Sequence, residues 1–169
     1  MYIFIMRHGE AANIEGKDSL RPLTKQGAIQ AQRMGEWIAK YELAKLMKIF
    51  VSPYVRAQQS CANVLLAINK LVGANDIIPE TFDLITPAGN TKQVHNFIDG
   101  LTVNNISDQN QAILFISHMP FVSYLVGELT NSTNMPIFAT GSIAVIDYDT
   151  EKMQGQLVEI VQPENVDVE

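Results

Sequence analysis

The sequence predicts a three-layer α/β/α sandwich built on a mainly parallel sheet, with an antiparallel strand at one end. Two observations carry that expectation. Short apolar runs alternate with longer stretches of helical periodicity through most of the 169 residues, the pattern of repeated βαβ units. The last two apolar runs, 142–148 and 156–161, are joined by a short polar turn at 149–155, which suits an antiparallel pair. No repeat, low-complexity stretch or linker interrupts the chain. Residues 1–162 therefore read as one domain and the acidic tail 163–169 as loose.

The elements follow in order. Tyr2-Ile3-Phe4-Ile5-Met6 is an apolar run that ends in Arg7-His8-Gly9, the mark of a buried strand with polar groups at its end. Residues 10–23, with Gly16, Asp18, Ser19 and Pro22, form an irregular loop. Thr24 is the expected N-cap of a helix reaching about residue 45. Its small-residue face runs through Ala28, Ala31, Gly35, Ile38 and Ala39, with Trp37 and Tyr41 as a neighbouring core stripe. Residues 47–51 read as the second strand. Ser52-Pro53 then opens a helix, with Ser as cap and Pro at its first position, that ends near Gly73. A third strand is expected at 76–79 and an amphipathic helix at 91–101, through Val94, Phe97, Ile98 and Leu101. Residues 112–116 make the most continuous buried strand, and another helix begins near Met119-Pro120.

Composition excludes several classes of function. The chain is 47% hydrophobic and 18% charged, ordinary for a globular domain, and no apolar run approaches the roughly 20 residues of a membrane span. The first six residues are apolar but lack a basic segment before them, so a secretory signal is not expected and the cytoplasm is the expected location. A net charge of −6 argues against nucleic acid as a partner, because phosphate backbones favour basic surfaces. Any anion site must then be a local basic pocket on an acidic body. Cys61 is the single cysteine, set among Ala57, Val64, Leu65 and Ile68 at helical spacing, and reads as a buried, inert thiol.

Three strand ends share one chemical character. The first carries Arg7-His8, the second runs into Ser52-Pro53-Tyr54-Val55-Arg56, and the strand at 112–116 ends in Ser117-His118. If these strands are parallel, their polar ends converge at one sheet edge, the place where open α/β sheets bind ligands. Guanidinium groups beside helix N-termini make an anion site there, and Arg21 lies on the loop that would cover it. Taken alone, Arg-His-Gly reads rather as a turn in which Arg7 pairs with a carboxylate and His8 is a satisfied polar residue; the further matches along the chain reverse this. Within an anion site, His8 is a nucleophile, an acid or a base. The chain has three histidines; the remaining one, His95, lies inside a helix beside Val94 and reads as a packed or solvated helical residue. No His-x₃-His or Cys-x₂-Cys spacing exists, and the arginines would repel a cation, so no metal is expected.

In their order along the chain these blocks resemble the histidine phosphatase superfamily. The resemblance rests on Ile5-Met6-Arg7-His8-Gly9-Glu10, Arg21-Pro22-Leu23-Thr24, Val51-Ser52-Pro53-Tyr54-Val55-Arg56-Ala57 and Ile116-Ser117-His118. It implies a phosphoglycerate mutase-like fold and cofactor-independent phosphatase chemistry. It also implies that His8 is the nucleophile, that Arg7, Arg56 and His118 bind the transferred phosphoryl group, and that Arg21, Gly9 and Ser52 add substrate contacts. The superfamily's general acid would correspond to Glu80 or Asp83, and the spacing to Thr86-Pro87 leaves both open. The short length, Thr86-Pro87-Ala88-Gly89, and room for only one helix between 80 and 110 are similar to the small bacterial phosphohistidine phosphatases. That implies an open groove and a phosphohistidine-containing protein as substrate, either a phosphotransfer domain of a phosphorelay or a phosphocarrier. The alternative is a phosphatase of small-molecule phosphomonoesters. A silent binding module is disfavoured, since it would have no need of a nucleophile.

Overall fold

A computed structural model describes residues 1–74, 76–104 and 109–166. Six strands form one sheet: β1 (Tyr2–Arg7), β2 (Lys45–Val51), β3 (Glu80–Thr81), β4 (Gln111–Ser117), β5 (Ile143–Asp149) and β6 (Gln154–Val161). Their spatial order is β3-β2-β4-β1-β5-β6. The first four run parallel, β5 is antiparallel to β1, and β6 is antiparallel to β5. The reversed strand is thus β5, one place in from the edge. Four helices pack on the sheet: α1 (Lys25–Ala39), α2 (Val55–Val72), α3 (Thr91–Asn104) and α4 (Phe121–Thr130). Among the described residues no helix is long and apolar enough to cross a membrane.

Alternation along the strands divides the core in two, because successive side chains point to opposite faces. On one face Ile3, Ile5, Phe50, Ile113, Phe115, Ala144 and Ile146 meet Val94 and Ile98 of α3 and Phe121, Val122 and Leu125 of α4. On the other, Phe4, Met6, Ile49, Val51, Leu114, Ile116 and Val145 meet Ala31, Met34 and Ile38 of α1 and Ala57, Cys61, Val64 and Ile68 of α2. Burial on both faces explains why β1 and β4 read as unbroken apolar runs rather than alternating ones. The Cys61 thiol lies in this second core, and burial pushes its pKa up to about 12, which leaves it protonated and inert.

The departures from the sequence reading have local causes. Helix α1 stops at Ala39, not near residue 45. Tyr41 instead leaves the helix to pack edge-on against Tyr2 and Phe4, and β2 has begun by Lys45. Helix α2 starts at Val55 rather than at Ser52-Pro53, because the Ser52 hydroxyl bonds the ring of His118 instead of capping the helix. The third strand is Glu80–Thr81, paired with Phe50 and Val51, and 76–79 is not a strand. Pro79 has no N–H to offer a ladder. The tail is not loose from its start: Pro163–Asn165 forms a 3-10 turn with Pro163 buried, and the Pro163 carbonyl accepts from Arg33 of α1 at 3.4 Å.

The loop after β1 is pressed onto the first turn of α1. A Cβ added to Gly27 would lie 2.1 Å from the carbonyl oxygen of Glu10, and one added to Gly9 would lie 2.2 Å from that of Gly27. Both contacts are to backbone, which cannot rotate away. We expect Gly27→Ala to cost about 1–3 kcal/mol, as overpacking does. Gly100→Ala, where an added Cβ meets nothing within 4 Å among the described residues, should be neutral or stabilising because Ala is the better helix former. Urea midpoints at constant slope decide the pair; equal midpoints for the two variants would contradict the close-approach argument.

Candidate active site

The carboxyl ends of β1, β4 and β2 lie side by side, with Arg7 opposite Ser117 and Val51 opposite Ile116. His8 is the first residue past β1 and is held at every polar atom. Its N–H donates to the Ser117 carbonyl at 2.9 Å, and its carbonyl accepts from Gly141 N–H at 3.0 Å. Ring Nδ1 lies 2.7 Å from the carbonyl oxygen of Gly9. A carbonyl only accepts, so Nδ1 carries the proton and the neutral ring keeps its lone pair on Nε2. That lone pair accepts from Arg56 Nε at 3.1 Å.

Arg56 occupies the first turn of α2 and is buried. Its remaining donors go to Asp18, Nη1 to the backbone carbonyl at 2.6 Å and Nη2 to Oδ2 at 2.9 Å. Arg21, on the same loop, donates from Nη1 to Asp18 Oδ1 at 3.1 Å and from Nε to the Ala12 carbonyl at 2.9 Å. Arg7 donates from Nη1 to the Phe138 carbonyl at 2.7 Å. His118 packs 5.0 Å from His8, ring to ring, with Tyr54 at 4.8 Å and the Ser52 hydroxyl 2.7 Å from Nε2. Arg7 Nε and His118 Nδ1 are buried with no hydrogen-bond partner among the described residues. Polar atoms left so are costly, and a ligand that pairs them recovers that cost.

These surroundings fix the charge states. Burial is the chief reason that His8 titrates at about 4; the bond to Gly9 works against this, while Arg56, Arg7 and Arg21 add to it. His118 is pushed down to about 3 by burial first, then by His8 and Arg56. Both rings are therefore neutral near pH 7. Desolvation does more of this than the arginines, which are the cause that sequence reasoning alone would name.

Of the residues singled out from the sequence, Arg7, His8, Arg21, Arg56 and His118 come together. Gly9 and Ser52 also belong to the cluster, in supporting positions: the Gly9 N–H is taken by the Ser60 hydroxyl at 3.0 Å, and Ser52 orients His118. Glu80 does not join them. Its carboxylate is held by Lys48 at 3.2 Å on the exposed margin of the sheet. Asp83 is exposed at the head of a 3-10 turn, Asp83–Ile85, whose Ile85 carbonyl accepts from Ser117 Oγ at 2.7 Å. His95 belongs to a separate group, bonded to Glu128 and to Tyr148, whose backbone N–H is tied to Met1 at the opposite end of β1 from His8. Sequence reasoning missed Asp18 and Ser60. Asp18 was legible as an acid three residues before a loop arginine. Ser60, one helical turn after Arg56, carried no signal that separates it from an ordinary helix serine. Among the described residues no group of three His, Cys, Asp or Glu side chains is placed to hold a metal ion.

Comparison with known proteins fits this geometry. Residues 3–81 match the family model described as histidine phosphatase superfamily, branch 1. The chain is 36% identical over 149 residues to the phosphohistidine phosphatase SixA of Escherichia coli strain K12, covering 88% of this chain and 86% of that one. The chain belongs to the histidine phosphatase superfamily. A SixA homolog of Haemophilus influenzae is 34% identical over 158 residues, with 91% and 92% of the two chains covered. The solved structure of a protein histidine phosphatase SixA complexed with tungstate superposes with a TM-score of 0.86 at 33% identity, over 99% of this chain and all of that one. The histidine phosphatase fold thus accounts for the whole described chain, including the part beyond residue 81.

The buried histidines make the stability of this histidine phosphatase pH-dependent. Unfolded, each titrates near 6.5; folded, His8 does so at about 4 and His118 at about 3. Between these values the unfolded chain binds more protons than the native one, so stability falls as pH drops below about 6.5. We expect the urea midpoint to be lower at about pH 5 than at about pH 7, and the difference to shrink in the double variant His8→Gln/His118→Gln. A double variant as pH-sensitive as the wild type would place the acid lability elsewhere.

Proposed function

We propose that this protein hydrolyses phosphohistidine on a partner protein through a covalent phospho-His8 intermediate. The observation that carries the reading is the state of His8: a neutral imidazole, its Nδ1–H spent on Gly9, its Nε2 lone pair set among three arginines and His118. In the first step Nε2 attacks phosphorus, the N–P bond of the substrate breaks, and the leaving imidazole takes a proton. In the second step water attacks the phosphorus, the Nε2–P bond breaks, and inorganic phosphate departs. Arg56 must move from Nε2 onto a phosphoryl oxygen as the substrate enters, so that the lone pair is free. Arg7 and His118, each with a buried unpaired nitrogen, are the further groups assigned to the phosphoryl oxygens. Phosphoryl transfer asks the protein chiefly for alignment and charge neutralisation, and this cluster supplies both.

Two features favour a protein substrate. The interval between β3 and α3 holds only the short turn Asp83–Ile85, so no inserted helical segment covers the β4 end of the site. Neither Glu80 nor Asp83 contacts the cluster, and imidazole is a far better leaving group than an alkoxide. The resemblance to SixA agrees with both. The reading places the enzyme in the cytoplasm, in phosphotransfer signalling, with a phosphotransfer domain or phosphocarrier as its partner.

The direct test is chemical trapping. Rapid quench into base, which preserves phosphohistidine, should recover labelled phosphate on a peptide containing His8. His8→Ala should lose both the label and turnover while keeping its fold. Undiminished turnover in that variant would refute the mechanism.

The leaving-group argument makes a second expectation. General acids contribute roughly 10²–10⁴-fold where the leaving group needs a proton. Because Lys48 holds Glu80 and Asp83 faces solvent, Glu80→Gln/Asp83→Asn should leave kcat/KM for a phosphohistidine protein within about threefold of wild type, far short of that contribution. A loss of a hundredfold would show that one of these carboxylates reaches the reaction.

A further inference from the structure

Asp18 has no part in the chemistry above, yet it holds the donors that a phosphoryl group would use. Its carbonyl and Oδ2 take Nη1 and Nη2 of Arg56 at 2.6 and 2.9 Å, and its Oδ1 takes Nη1 of Arg21 at 3.1 Å. One short loop thus engages both guanidinium groups with an anion of the chain itself. The 3-10 turn Asp18–Leu20 buries no residue and the Asp18 side chain is 55% exposed, so its pair with the half-buried Arg21 adds little to stability. Its pair with Arg56 is different: that guanidinium is buried and needs a counter-charge, which Asp18 supplies here and a bound phosphoryl group would supply in its place. The turn follows Gly16, whose φ of 119° marks a backbone position that other residues rarely adopt. Burial pushes the Asp18 carboxyl up, and hydrogen bonds from Arg56 and Arg21 more than reverse this, leaving it below the ordinary carboxylate range and ionised near neutral pH.

We propose that Asp18 is a specificity-determining residue that competes with free phosphate for Arg56 and Arg21. The inference rests on the phosphatase reading and deepens it. Inorganic phosphate is the product, and a site of three arginines would hold it tightly. Binding product or ground state strongly gains nothing for turnover, whereas binding the transition state does. Asp18 makes every phosphate dianion displace a carboxylate and remain near it. A substrate presented by a docked protein has further contacts with which to offset that competition; a lone phosphate has none. Asp18 therefore weakens the product more than the substrate.

The two roles open to Asp18 give opposite results when its charge is removed. If it only positions Arg56, Asp18→Asn loosens Arg56 and weakens anion binding. If it competes, Asp18→Asn binds phosphate more tightly. We expect the Kd for inorganic phosphate, by titration calorimetry on the full chain, to fall about two- to fivefold in Asp18→Asn, in the range expected of a half-exposed charge. The phosphate inhibition constant should fall in parallel, and by more than KM for a phosphohistidine protein. Asp18→Glu should restore the weaker binding, and the gap between Asn and wild type should narrow as salt is raised. Phosphate binding that is unchanged or weaker in Asp18→Asn, in an enzyme that still traps phosphate on His8, would overturn this inference alone. A wild type that neither binds phosphate nor forms phospho-His8 would overturn the phosphatase reading with it.

Discussion

Everything at this site depends on how His8 is held. The bonds to Ser117 and Gly141 come from β4 on one side of β1 and from the turn that leads into β5 on the other, so the residue is fixed as though it continued the sheet. With the backbone fixed, the Gly9 carbonyl sets the tautomer, and the tautomer sets which nitrogen can act. A histidine on a free loop would sample both tautomers and would titrate near its ordinary value. Here burial and the surrounding charges remove the protonated form, and a single hydrogen bond removes the wrong neutral one.

The sheet topology makes that arrangement possible. Because β2, β4 and β1 are adjacent and parallel, their carboxyl ends deliver Arg56, His118 and His8 to one place from three remote parts of the sequence. The supporting contacts are mostly local in space and inexpensive in sequence. A serine on α2 bonds Gly9, a serine after β2 bonds His118, and the guanidinium of Arg56 lies 5.0 Å from the ring of Tyr54. Each limits the motion of one member of the cluster around His8.

The order of strands and helices was legible because buried parallel strands are unbroken apolar runs: β1 and β4 are such runs, and β2 ends in Ile49-Phe50-Val51. The five clustered residues were legible for a related reason: Arg7 closes a strand, His8, Arg56 and His118 each come soon after the end of one, and Arg21 lies in the loop that follows β1. What escaped the sequence was decided by contacts between distant residues. Ser52 looks like a helix cap until His118, sixty-six residues later, claims its hydroxyl. Glu80 sits where an acid would be useful, and only the register of β3 on β2 shows that Lys48 takes it. Tyr41 continues a helical stripe on paper, but the rings of Tyr2 and Phe4 draw it out of the helix.

The contacts of β1 with the segment that leads into β5 bear on how the molecule is made. Arg7 is tied to the carbonyl of Phe138 and to that of Ser142, and His8 to the amide of Gly141. A nascent chain that has emerged through α4 already carries every arginine and histidine of the cluster. It still lacks the residues that clamp the first two. The clamp on these two residues therefore closes only when the segment 138–142 arrives and β5 docks against the strand made first, so a fragment that ends at α4 holds the whole set of groups without the contacts that fix Arg7 and the His8 carbonyl.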